Sequence, residues 1–145
     1  MIRVILGVII GYLVMVVIVF CTFTVSYLLL GADRAFQPGS YEVTGLWLVV
    51  SLTLSFLAAL VAGKVCRVIG GGWMAVLGLV SLVIVLGGIS AVYAILAAAG
   101  SAPVSRTGNT SNLQAMMNAK EPISVALALP AIGAVGVLIG AKKKR

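Results

Sequence analysis

Val43–Gly63 reads VTGLWLVVSLTLSFLAALVAG, without a charged residue from one end to the other. At about 1.5 Å per residue, its 21 residues reach roughly 30 Å as a helix, the depth of a bilayer hydrocarbon core. Trp47 stands near the start, where amphipathic rings favour the headgroup level, and Lys64 and Arg67 close the far end. Ser51, Ser55, Ala59 and Gly63 recur every fourth residue and share one face, a ridge of small side chains. Lipid tails are as apolar as the side chains they surround, so helices associate where small residues let backbones come close. The stretch predicts a membrane-spanning helix with a packing face.

The rest of the chain agrees. Of 145 residues, 62% are hydrophobic and 9% charged, and the mean hydropathy is +1.24. Soluble domains carry about 25% charged residues, so a cytosolic globular protein is excluded. The apolar runs are too long and too little alternating for a membrane barrel, leaving helices as the spanning element. The net charge of +7 comes from bases between the apolar runs and at the C-terminal tail. That is a topological placement rather than a binding face, and no nucleic-acid partner is expected.

Four spans are expected in one transmembrane domain covering 1–145, at about 4–30, 44–64, 73–99 and 122–141. The fold class is an all-α, four-helix integral membrane bundle with spans one and two, and three and four, as hairpins. Arg3 could open a signal peptide, but the apolar stretch behind it is longer than the usual 7 to 15 residues or so, which predicts a retained anchor. Gly7 and Gly11 make a G-x-x-x-G step in span one. Thr22 and Ser26 share a face further on; their hydroxyls are expected to bond a neighbouring helix or the preceding turn, the sharper alternative being a substrate path.

In the first connection, Pro38-Gly39 signals a turn. Phe36, Tyr41 and Trp47 around it are expected to form an interfacial aromatic belt rather than a ligand site. Gly70-Gly71-Gly72 lacks the Lys-Ser/Thr of a phosphate-binding loop and follows no strand, so it reads as a turn. Trp73 then anchors span three at that surface. Ser90, Ala94 and Ala98 form a second small-residue ridge, expected to pair with the Ser51–Gly63 ridge in an antiparallel hairpin.

The connection 100–121 is polar and expected to be extracytoplasmic. Asn112 could cap a short helix with Leu113, Met116 and Met117 on one face, lying on the membrane or offering a methionine-lined docking site. Asn109-Thr110-Ser111 is a formal glycosylation sequon. Glu121-Pro122 suits the start of span four. Pro130 should kink that span, and Gly133, Gly136 and Gly140 behind it are read as packing positions before a gate hinge.

Arg3, Lys64, Arg67, Lys142, Lys143, Lys144 and Arg145 fall on one side of these spans; Arg34, Arg106 and Lys120 fall on the other, with every acidic residue. The base-rich side should be cytoplasmic, which places both termini there and the protein in a cell membrane, of bacterial inner-membrane type. The terminal bases act as an interface anchor together with Trp47 and Trp73, and the tail can attract anionic lipid. Cys21 and Cys66 lie at different depths and are expected to be unpaired.

No ionisable residue lies deep within any span, and there is no histidine. Proton relays, ion-coupled transport and membrane catalysis need such groups inside the bilayer. The four-helix small multidrug exporters, for example, depend on a glutamate in their first helix. No enzyme activity, cofactor or metal is therefore expected.

Gly31-Ala32-Asp33, Pro38-Gly39-Ser40-Tyr41 ahead of Trp47, and Pro130 with Gly133, Gly136 and Gly140 resemble stretches of small multi-pass bacterial membrane proteins of unassigned function. The resemblance covers these three stretches and transfers no functional residues. A structural or accessory role through helix packing, with a larger membrane protein or with a second copy, is the first expectation. A passive, holin-like pore and a small-solute transporter are the alternatives.

Overall fold

The computed structural model describes residues 1–100 and 118–142. Four helices are long and apolar enough to cross a membrane. They are α1 (Ile2–Leu30), α3 (Gly45–Gly70), α4 (Trp73–Gly100) and α5 (Ile123–Gly140), with a single turn, α2 (Ala32–Ala35), after the first. The described residues form no sheet, only isolated bridges between Phe36 and Val43 and between Glu42 and Lys120.

Local chemistry sets the helix ends. The Thr44 hydroxyl accepts from the Trp47 amide at 3.2 Å and donates to the Arg34 carbonyl at 2.6 Å, capping α3 and tying it to α2. At its other end α3 continues past Lys64 and Arg67, which close the apolar span without interrupting the helix. Gly71 stops it in the left-handed region at φ +75°, its N–H returning to the Arg67 carbonyl at 3.1 Å. The glycine triplet is thus a helix stop and a tight turn into α4. Gly39, at φ +70°, completes the turn that Pro38 begins, closed by Ser40 N–H to the Gln37 carbonyl at 3.2 Å.

Around the bundle the helices follow the order α1, α3, α5, α4, and α3 also reaches α4 across the middle. The ridge on α3 does not face the ridge on α4, as the hairpin argument expects. It faces α5: a Cβ on Gly136 would stand 2.7 Å from that of Ala59, and a Cβ on Gly63 would fall on the Val137 carbonyl oxygen. Gly140 lies equally tight on the Leu60 carbonyl. Glycine on α5 meets backbone on α3, so the closest approach joins spans distant in sequence. Gly7 and Gly11 of α1 lie against the last turns of α3, at Gly70 and Cys66.

The two ends of the bundle differ. Towards Arg3, Arg67 and Lys142, the basic end, the helices enclose a dense core of Ala59, Ala62, Cys66, Ala75, Val76, Leu79, Val83, Val137 and Ala141. At the opposite, aromatic end, Tyr27, Ala35, Phe36, Val43 and Trp47 make a second cluster that seals α1 against α3. Trp47 is therefore not a headgroup-facing anchor. It is 6% exposed, edge-on to Phe23 at 5.7 Å and to Tyr27 at 6.3 Å. Phe36 and Tyr41, 5.8 Å apart, are buried there too, so the expected aromatic belt is a closed cap.

Candidate functional site

Burial on α4 thins beyond Val83. Ser90 and Ala94 are exposed, and among the described side chains of the following turns Ala91 alone is buried. With α1 and α5 at opposite corners, this leaves a cleft of about 580 Å³ in the half of the bundle nearer the aromatic end. Tyr12, Met15, Val19 and Phe20 supply its α1 wall; Leu86, Gly87, Ser90 and Ala94 supply the α4 wall; Ala126, Leu129, Pro130 and Gly133 supply α5. Ser55 reaches it from α3. The two small-residue ridges thus border one cavity at Ser55 and at Ser90 and Ala94 instead of interlocking.

Pro130 shapes the α5 wall. Helix α5 runs unbroken from Ile123 to Gly140, and the proline ring rests on Gly87 of α4. Proline at this position removes one amide donor from the helix ladder, a local cost. Both residues line the cleft, which makes the proline a wall element.

Among the described residues, Glu121 is the only charged side chain lining the cleft. It lies just before α5, and burial raises its carboxyl pKa above the ordinary value. Its backbone is held from the aromatic end. Lys120 N–H donates to the Tyr41 carbonyl at 2.9 Å, and Val43 N–H donates to the Lys120 carbonyl at 3.2 Å. This short parallel bridge fixes the residue before Glu121 onto the first connection. The sequence offers Glu121 as a helix-start acid; its place at the cleft depends on α1 and α4, which local sequence does not encode.

Three hydroxyls within the spans bond back to their own helices. Thr22 Oγ1 donates to the Ile18 carbonyl at 2.7 Å and the Val19 carbonyl at 3.1 Å, on the preceding turn. Ser51 and Thr53 bond back to Leu48 and Val49 in the same way, at 3.0 and 2.7 Å. Thr22 and Ser26 do not line the cleft.

At the basic end, an Arg67 guanidinium N–H donates to the Ala141 carbonyl, and its plane lies 5.1 Å from the centre of the Trp73 ring. Arg67 so closes the end of α5, and Trp73 stays largely exposed beside it. Lys142 is exposed. The side chain of Ala98, the connection with Asn112, Met116 and Met117, and Lys143, Lys144 and Arg145 lie outside the described residues.

Comparison with protein-family models, with curated proteins and with solved structures finds no match to this chain.

Proposed function

We propose that this small multi-pass protein is a non-enzymatic accessory protein of a cell membrane, of bacterial inner-membrane type, that holds an apolar guest in its lateral cleft. The observation that carries this reading is the division of labour among its small residues. Gly7, Gly11, Gly63, Gly136 and Gly140 are consumed in contacts within the chain. The half of the bundle nearer the aromatic end keeps an apolar cavity of about 580 Å³, within the range of roughly 300–1,000 Å³ typical of small-molecule sites. The excess of bases at the end holding both termini supports a cytoplasmic placement of that end. A pore through a single chain gains no support, because Val76, Leu79 and Cys66 fill the basic half of the bundle without exposure.

The test is extraction into lipid nanodiscs followed by native mass spectrometry. A small-mass adduct that survives on the chain, and is lost when Ala94→Leu fills the cleft, is expected. Co-purifying polypeptides in fixed ratio with no such adduct would replace this reading with a helix-packing subunit of a larger complex.

A further inference from the structure

Among the described residues the cleft has one charged handle, and it is negative. Glu121 lines a mostly apolar cavity, and no ion pair to it is found among the described residues. The backbone bridge between Lys120 and the Tyr41–Val43 segment holds it there, so the charge is presented rather than trailing into solvent. The Lys120 side chain is exposed, and it is not among the cleft-lining residues.

A half-buried carboxylate without a cationic partner is costly to ionise, and a guest that brings the opposite charge offsets that cost. A guest carrying its own carboxylate or phosphate would meet like charge in a poorly solvated place. Along the α1 wall, Tyr12 and Phe20 offer aromatic surface to a bulky apolar body, and cations are also attracted to aromatic faces. Pro130 and Gly87, in contact with each other, add apolar lining.

Resting on the reading of the cleft as a guest site, we propose that its guest is a lipophilic cation, bound with its positive centre at Glu121 and its apolar body between Tyr12, Phe20 and Pro130. Charge at one end and hydrocarbon along the rest are the features that the cavity selects.

The experiment uses the full chain in zwitterionic nanodiscs, with empty nanodiscs as the partition baseline. Tetraphenylphosphonium is the cation, tetraphenylborate its anionic counterpart of the same shape, and triphenylphosphine oxide a neutral relative. Saturable binding of tetraphenylphosphonium is expected, at least tenfold tighter than either of the others. Glu121→Gln should lose at least tenfold of that affinity, and Ala94→Leu should abolish it. Circular dichroism and thermal unfolding of both variants establish that they fold. If Glu121→Gln folds and binds the cation as the parent does, the proposal is overturned. If all three probes bind alike and Ala94→Leu removes all of them, the cation preference falls while the guest site stands. If no probe shows saturable binding that Ala94→Leu removes, both readings fall.

Discussion

The ring of Pro130 seats on Gly87: a Cβ at position 87 would lie 2.6 Å from the proline Cγ, closer than packed atoms tolerate. The ring cannot swing aside as a flexible side chain would, so α4 and α5 must separate to admit a methyl group. Gly87→Ala is therefore expected to lower stability by about 1–3 kcal/mol, the usual cost of overpacking. Gly88→Ala is the internal control. Nothing lies within 4 Å of its would-be Cβ, and alanine favours helix, so it should be neutral or slightly stabilising. Thermal unfolding in nanodiscs, run on both, decides the matter.

The α3–α5 seam makes a stronger demand. At Gly63 and Gly140 the obstacle to a side chain is backbone, the carbonyls of Val137 and Leu60. Gly63→Leu and Gly140→Leu should each cut the yield of monodisperse protein sharply, whereas Gly72→Ala, facing open space, should not. Normal elution profiles for both leucine variants would show that the seam is not required.

How these contacts could be read in advance differs from one to the next. The four spans are legible because a bilayer forbids unpaired backbone, leaving long apolar runs as their signature. The Ser51–Gly63 ridge is legible too, but not its partner. Ser90 and Ala94 make an equally good ridge and follow in the chain, while the glycines of α5 come later behind a proline. Small-residue spacing states that a helix can be approached, not by which neighbour. Trp47 shows the same limit, since a tryptophan near a span end serves a headgroup belt or a buried cap, and only Phe23 and Tyr27 across the α1–α3 contact settle which. The cleft is not legible in the sequence because its walls come from α1, α3, α4 and α5, a property of four helices together.

Arg67 stacks on Trp73 and closes the end of α5 through the Ala141 carbonyl. A hydrogen bond from a charged donor and an exposed cation–π contact together contribute about 2–4 kcal/mol. Arg67→Ala should lose most of that in a chemical unfolding experiment. Arg67→Lys, a point charge without the planar fork, should recover only part of it. Full recovery by lysine would show that charge alone matters at this position.

Glu121 makes stability depend on pH with a definite sign. Its carboxyl pKa is raised in the folded chain by burial, so folding favours the protonated form. The stability this contributes is present in full below the ordinary carboxyl range, about 4.3, and is lost as pH climbs through the raised value. The unfolding temperature in nanodiscs should fall as pH rises above the ordinary carboxyl range. Glu121→Gln should flatten this fall, and an unchanged slope would assign it to another group.

Cys21 faces outward on α1, while Cys66 lies sealed against Gly11 in the core of the basic end. The chain thus contains its own pair of reporters. A membrane-permeant thiol reagent should modify Cys21 faster than Cys66, which it reaches only when α1 lifts from α3. In a Cys21→Ser background, the labelling rate of Cys66 becomes a clock for the opening of the bundle in intact lipid, with no denaturant and no added probe site.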